Sequence, residues 1–183
     1  VNTGSNGSDG AFNPTTNIVI NMADHPDGIY QYTSVNISNG VAVTFIPNAN
    51  NTPVVWLVQS DCTISGTVAV SGNGMIAPVG GNGGPGGWRG GNGGDGNRDG
   101  QGPGGGMGES GYYSPSSGGS FATVGAGSHP GNTYGNQFLL PLMGGSGGGA
   151  MRTPPYAGGG GGGAILIAAS GSIAVNGSIS ANG

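Results

Sequence analysis

The chain has 183 residues, the length of one domain or of one domain with a large insertion. Charged residues make up only 5% of it, Lys is absent, and the formal net charge is −4. Three Arg side chains cannot neutralise a phosphate backbone, which argues against nucleic-acid binding. No apolar run is long enough to span a membrane, so we expect no membrane insertion.

Glycine and proline dominate the composition, with 46 Gly and 12 Pro. This composition alone is typical of low-complexity or disordered chains, but strand-like patterns near both ends indicate a folded scaffold. The single Cys provides no internal disulfide. Few charges and many Asn, Ser and Thr favour a secreted protein that is extracellular or lies on the cell surface. We therefore expect Val1 to follow a leader that has been removed.

The first segment, residues 1–10, is rich in Gly, Ser and Asn and has no apolar pattern, which predicts a flexible N-terminal arm. Two interpretations remain open: the arm is a frayed end, or it docks on a neighbouring subunit. Residues 17–22 then read as a strand, and residues 24–28 contain the Pro and Gly of a tight turn.

A strand pattern then occurs three times, at Val35–Val43, Cys62–Val70 and Ile173–Ala181. The copies align without gaps, and apolar residues alternate within each copy. Such repeats predict strands that stack as the rungs of a parallel β-helix or β-solenoid. A three-rung Greek-key sandwich is the competing arrangement. The predicted core ladder consists of Val35, Ile37, Val41, Val43, Cys62, Ile64, Val68, Val70, Ile173, Val175 and Ile179.

The constant offsets between the copies also predict which side chains stack. The predicted ladders are Val35 with Cys62 and Ile173, Ile37 with Ile64 and Val175, and Val41 with Val68 and Ile179. By the same offsets Trp56 lies over Ile29 and Ile167, which predicts a core or rim residue rather than a sugar platform. Cys62 fills a core slot, which favours a small core hydrophobe over a reactive thiol.

Residues 72–163 are predicted to be an insertion between the second and third rungs. Residues 11–71 then hold rungs one and two, and residues 164–183 form the closing rung. Within the insertion Gly recurs at every third position from Gly81 to Gly111, except at Asp99. A period of three is the geometry of polyglycine II, in which glycine lets neighbouring backbones approach closely. The alternative is a disordered loop, because ordering glycine carries a large entropic cost.

The insertion carries one apolar cluster and several scattered aromatic residues. The cluster is predicted to cover the scaffold or to contact another subunit, because it would be a liability in solvent. Its members are Phe138, Leu139, Leu140, Leu142 and Met143.

One motif has the spacing of metal ligands. Asp95, Asn97 and Asp99, with Gly100 after them, copy the first ligand positions of a calcium loop, although Gly106 stands where that loop has its bidentate Glu. Calcium is thus the one candidate metal, and no other cofactor is expected. Paired catalytic carboxylates, a partnered His and a nucleophile motif are not recognisable, so we expect no enzyme activity.

The residues from Gly158 to Ile167, followed by residues 171–183, resemble the glycine-rich, β-helical secreted proteins of bacterial cell surfaces. The insertion is similar to the polyglycine II bundles of phage tail-tip adhesins and of the snow-flea antifreeze protein. The ice-binding members carry regular Thr or Ala faces, and this sequence has no such flat array.

These observations favour an extracellular structural protein, a subunit of a self-assembling surface filament or matrix such as that of a biofilm. Its partners would be copies of itself, joined through open β edges and the N-terminal arm. The alternative is an adhesin that binds surface glycans through aromatic residues of the insertion, namely Trp88, Tyr112, Tyr113 and Tyr134. A carbohydrate-active enzyme is a third hypothesis.

Overall fold

A computed structural model gives the fold and describes residues 2–111 and 115–183. The expectation of an all-β, solenoid-like scaffold with parallel sheets is confirmed, and a single-turn 3-10 helix, Met22–Asp24, interrupts the strands. The chain divides into two compact units. The solenoid unit holds the described residues up to Val70 together with Ile165–Ser180, and the glycine-rich unit holds Ser71–Ala164 with Ala181–Gly183.

The solenoid unit consists of short strands joined by turns and loops, and the glycine-rich unit lies between its seventh and eighth strands in the sequence. The strands are β1 (Gly10–Phe12), β2 (Ile18–Asn21), β3 (Ile29–Ile37), β4 (Ala42–Ile46), β5 (Val54–Val58), β6 (Cys62–Ile64), β7 (Thr67–Ala69), β8 (Ile165–Ala169), β9 (Ile173–Val175) and β10 (Ser178–Ser180). One sheet has the order β8-β5-β3-β6-β9, with β1 also paired to β3, and the other has the order β10-β7-β4-β2. Every strand pair in both sheets is parallel, as in a coil of stacked rungs.

The last two rungs stack in one constant register. Strands β5, β6 and β7 pair with β8, β9 and β10 at the same sequence offset throughout, as in the pairs Trp56 with Ile167 and Ile64 with Val175. The offset is constant because the two rungs have corners of equal length. The expected stacking of Cys62 on Ile173 is therefore observed.

The first rung departs from the predicted register at one corner. Val68 pairs with Val43, so the predicted stacking of Val41 on Val68 is wrong by two residues. Four residues separate β3 from β4, whereas only two separate β6 from β7. The longer corner contains Gly40 at a φ of 82°, and the N–H of Val41 donates to the Ser38 carbonyl at 3.1 Å. Val41 is buried within this corner.

A second departure lies at the start of the same rung. Trp56 pairs with Tyr30 and not with Ile29, so the predicted stacking is wrong here by one residue. Further along β3, Val35 pairs with Cys62 as the constant offset predicts. The second rung thus has one extra residue in the bend between β5 and β6, opposite a continuous β3.

Trp56 is the largest side chain of the buried core and is fully enclosed. Its ring lies 5.7 Å from that of Phe12, 5.8 Å from Tyr32 and 6.2 Å from Phe45. Tyr32 in turn lies between Phe12 and Tyr30, at centroid distances of 5.1 and 5.9 Å. This aromatic cluster fills the first rungs, and Met22, Cys62, valine and isoleucine side chains fill the rest of the core.

Backbone hydrogen bonds between separate segments organise the glycine-rich unit, and they recur at every third residue. The N–H groups of residues 88, 91 and 94 donate to the carbonyls of residues 145, 148 and 151, at 3.0, 2.9 and 3.0 Å. Residues 81 and 84 donate in the same way to residues 158 and 161, at 2.9 and 3.0 Å. Most of these donors and acceptors are glycines.

Several of the periodic glycines, among them Gly81, Gly87, Gly90, Gly93 and Gly105, lie where two backbones nearly touch. A Cβ on Gly90 would overlap the carbonyl of Gly158, and a Cβ on Gly93 would overlap that of Pro155. These positions tolerate only hydrogen as a side chain, which explains the three-residue repeat of glycine.

Candidate functional site

The two ends of the solenoid are the most distinctive surfaces of the molecule. Side chains at equivalent positions of successive rungs form columns, and one column runs Ile18, Val43, Val68, Ile179 through three parallel strand pairs. Val43 and Val68 are 0% exposed, whereas Ile18 is 37% and Ile179 is 40% exposed. The two end members thus have the chemistry of core residues without their burial.

The rung formed by β8, β9 and β10, here called the terminal rung, shows the same contrast in two further columns. Cys62 is fully buried, but Ile173, its partner in that rung, is 49% exposed. Ile64 is likewise fully buried, and its partner Val175 is 47% exposed. On β8, Ile165 and Ile167 pair with the fully buried Val54 and Trp56 but are themselves only partly buried. One end of the solenoid therefore presents a contiguous row of apolar side chains.

Side-chain hydrogen bonds fix the terminal rung on the rung beneath it. The Asp61 carboxylate accepts the Ser172 N–H at 2.7 Å and the Ser172 hydroxyl at 2.9 Å. These two hydrogen bonds lower the pKa of Asp61. The hydroxyls of Thr67 and Ser178 lie 3.2 Å apart on the next strand pair. The apolar row is thus held on an ordered strand edge.

The N-terminal segment binds its own solenoid unit. The Thr3 hydroxyl donates to the Val58 carbonyl at 3.2 Å, and the Ser5 hydroxyl donates to the Tyr32 carbonyl at 3.1 Å. The Asp9 carboxylate accepts the Gln31 N–H at 2.5 Å. A free arm was expected here, but residues 3–9 run along three rungs and lead into β1, which pairs with β3. This segment is therefore neither a frayed end nor free for a neighbouring subunit, because it is hydrogen-bonded to its own solenoid unit.

Cys62 lies in the middle of a column, between Val35 and Ile173. It is a free thiol and is fully buried. Desolvation raises the pKa of the thiol to about 11, so the reactive thiolate is disfavoured at neutral pH. This environment matches that of a core hydrophobe.

The predicted contact cluster of the glycine-rich unit lies at its surface. Phe138, Leu139 and Leu140 are exposed, while Leu142 and Met143 are half-buried. Asn136 holds the turn, since its side chain accepts the Phe138 N–H at 2.9 Å and donates to the Leu140 carbonyl at 2.7 Å. Leu139 has a φ of 54°, a left-handed conformation that is costly for a branched side chain.

The aromatic residues proposed as glycan platforms do not stand free. The Trp88 and Tyr134 rings pack edge to face at 5.8 Å, and Phe121 packs on Tyr134 at 5.1 Å. The Tyr134 hydroxyl donates to the Gly144 carbonyl at 2.7 Å. Trp88 and Tyr134 are thus partly buried and fixed by ring contacts and a hydrogen bond, and glycan binding through them stays a prediction. Tyr112 and Tyr113 lie outside the described residues.

The candidate calcium ligands have other partners. Asp95 forms an ion pair with Arg152 at 2.8 Å, and an Asp99 carboxylate oxygen accepts the Gly108 N–H at 2.8 Å. The Asn97 side chain accepts the Asp99 N–H at 3.4 Å. Across residues 2–111 and 115–183, no three His, Cys, Asp or Glu side chains are grouped so that they could hold a metal ion.

Sequence reasoning missed Ile18 as a member of the core ladder. The signal was present, because Ile18, Val43 and Val68 are equally spaced along the chain. Their spacing is two residues shorter than the offset from Val35 to Cys62 on the neighbouring strands. A search at that single offset therefore does not align Ile18 with Val43. The strand at residues 17–22 was recognised, but its place in a column was not. With Ile18 included, both ends of that column are exposed.

Among the described residues, no helix combines the length and the apolar character that a membrane crossing requires. No protein-family model matches the sequence, and none of the curated proteins or solved structures compared with it is similar to it. Functional inference therefore depends on the geometry described above.

Proposed function

We propose that this is an extracellular structural protein whose copies stack end to end through the open ends of the solenoid, forming a surface filament or matrix. The observation that carries the proposal is the column Ile18, Val43, Val68, Ile179, buried in the middle and exposed at both ends. A following copy would bury Ile179 against Ile18 at the normal spacing between rungs. This head-to-tail contact is heterologous, and repeating it generates a fibre.

A second copy fits this end better than an unrelated partner for two reasons. The terminal rung is a parallel strand edge with apolar slots in the same register as the interior rungs, so its natural complement is another rung of this sequence. The formal net charge of −4 is spread over 183 residues, and such weak repulsion does not oppose stacking. Because residues 3–9 bind their own rungs, the proposed joint does not need an exchanged arm.

The glycine-rich unit has a lateral role in this proposal. Hydrogen bonds at every third residue support a bundle of polyglycine II segments, stiff enough to display a fixed surface. Leu139, held in its left-handed conformation beside the exposed Phe138 and Leu140, would supply an apolar contact between neighbouring filaments. A secreted location is supported by the low charge and by the absence of Lys.

The test is sedimentation velocity over a range of protein concentrations, with electron microscopy of the same samples. We expect the wild-type protein to form linear oligomers whose length grows with concentration. Ile179→Asp buries a charge in the joint and should shift the protein to monomer. Asn176→Asp is the matched control, since it adds the same charge to an exposed turn of the same rung and should leave assembly intact.

Thermal unfolding of both variants would show that the monomer remains folded. A wild-type protein that stays monomeric at every concentration would overturn the proposal. The exposed apolar row would then be a binding surface for a different protein or for further sequence of this one. Equal assembly of the Ile179→Asp variant would place the contact elsewhere on the molecule.

A further inference from the structure

A cleft in the glycine-rich unit gathers most of the unit's few charges. Its volume is about 710 Å³, within the range of about 300 to 1,000 Å³ that is usual for small-molecule sites. Of the six Asp, Glu and Arg residues of this unit, four line the cleft, namely Asp95, Arg98, Glu109 and Arg152. The cleft is therefore the most charged surface region of a unit that is otherwise almost uncharged.

Arg98 is a fixed cation with no carboxylate partner among the described residues. Its Nε donates to the Glu109 carbonyl at 2.7 Å, and its Nη1 donates to the Gly94 carbonyl at 3.1 Å. Neutral carbonyls position the guanidinium, and it forms no ion pair with a carboxylate of the described residues. The remaining nitrogen, Nη2, donates to none of the described residues, and the side chain is only half-buried. The geometry is that of a preorganised anion-binding group.

Two carboxylates lie on the same cleft with acceptor oxygens to spare. Arg152 is held from two sides, since its Nε pairs with Asp95 at 2.8 Å and its backbone N–H donates to the Glu109 carboxylate at 2.6 Å. Each contact uses one oxygen of the carboxylate, and the other oxygen accepts from none of the described residues, so that it can accept from a ligand hydroxyl. Met151 and Pro115 add apolar surface to the wall.

We propose that this cleft binds a small polyhydroxylated carboxylate, that is, an acidic sugar of the uronic acid class. The ligand's carboxylate pairs with Arg98, its hydroxyls donate to Asp95 and Glu109, and its C–H face packs on Met151 and Pro115. A neutral sugar would leave Arg98 unpaired, and a simple inorganic anion would leave both carboxylates unused. The proposal is independent of end-to-end assembly, because all lining residues belong to the glycine-rich unit.

The test is saturation-transfer NMR and calorimetric titration with galacturonic acid, with galactose as the matched neutral probe. We expect binding of galacturonic acid and at least about tenfold weaker binding of galactose, the usual effect of losing a charge-assisted hydrogen bond. Arg98→Gln should weaken galacturonic acid binding by about tenfold or more. Arg89→Gln is the control, since Arg89 is bonded to Gly80 and Asn92 and does not line the cleft.

A second variant keeps the test decisive if Arg98→Gln perturbs the unit. A Cβ on Gly111, which lines the cleft, meets no atom within 4 Å, so Gly111→Trp places a large side chain at the cleft without a backbone clash. It should abolish binding while preserving the thermal transition of the unit, measured by calorimetry. Absence of binding to the folded wild-type protein, equal binding of the two sugars, or full binding by Gly111→Trp would each overturn the proposal.

Discussion

Ile18 and Ile179 stand at opposite ends of one column of stacked side chains, close to opposite ends of the sequence and separated in the column by two fully buried valines. The strands between them are all parallel, so the backbone direction is the same at both ends. One end of the column can therefore continue on the other without a change of geometry. In an isolated molecule the two end slots lack the neighbours that bury the interior slots.

The position of a side chain along its column should decide how much its truncation to alanine lowers the free energy of unfolding. Ile64→Ala removes a fully buried side chain and should lower the free energy of unfolding by about 2 to 5 kcal/mol. Val175→Ala changes the next slot of the same column, where the side chain is half exposed, and should cost less than about 1 kcal/mol in the monomer. Chemical denaturation followed by Trp56 fluorescence in a Trp88→Phe background measures both.

This comparison is made below the concentration at which assembly occurs. An equal loss of unfolding free energy in the two variants would mean that the side chains of the terminal rung are covered in the monomer. A small loss for Ile64→Ala would contradict the stacked core itself.

Close backbone contact predicts which glycines can be replaced. Gly90→Ala would force a Cβ into the carbonyl of Gly158, and should destabilise the glycine-rich unit by about 1 to 3 kcal/mol. Gly159→Ala is the matched control, because its Cβ meets nothing within 4 Å, and the loss of unfolded-chain entropy should stabilise the unit by up to about 1 kcal/mol. Thermal unfolding followed by calorimetry distinguishes them, and identical transitions would argue against a tightly packed glycine bundle.

Alkaline pH should weaken the solenoid unit. Burial raises the pKa of Cys62 to about 11, and burial together with Asp24, Asp9 and Asp27 raises the pKa of Tyr30 to about 12. In the unfolded chain these groups ionise near 9.0 and 10.0. The folded state therefore holds more protons in this window, so its full stability is present below pH 9 and declines as the pH rises towards 12.

Unfolding measured at several pH values from 7 upward checks this dependence. Cys62→Val keeps the slot apolar, as Val35 does one rung away, and should make the decline shallower. A stability that is constant up to pH 11 would contradict the buried, protonated state of both groups.

The sequence predicted the last two rungs better than the first, for a physical reason. Corners of equal length keep every pair of those rungs at one offset, so a single offset is enough to place Val175 on Ile64. Compared with the second rung, the first rung has a longer corner before Val43 and one residue fewer along β3. No single sequence offset can therefore align all of its residues with those of the second rung. Corner length depends on local turn geometry, to which an apolar pattern is insensitive.

The charged cleft could not be predicted in this way. Hydrogen bonds to the backbone carbonyls of Gly94 and Glu109 hold the Arg98 side chain at the cleft. Arg152, which contacts Glu109 there, lies far from it in the sequence. No local motif encodes that convergence. The aromatic residues show the same limit, because Trp88 and Tyr134 are distant in sequence but in edge-to-face contact.

The most direct test of end-to-end stacking is a disulfide between the two ends of the Ile18 column. Neighbouring rungs lie about 4.8 Å apart, within the Cα separation of about 4.4 to 6.8 Å that a disulfide needs. The buried Cys62, with its raised pKa, should not compete. Ile18→Cys and Ile179→Cys proteins, mixed under mild oxidation, should form a dimer linked 18 to 179, while Asn176→Cys mixed with Ile18→Cys should not. Absence of the 18 to 179 link, or links only between two copies of residue 179, would contradict head-to-tail stacking.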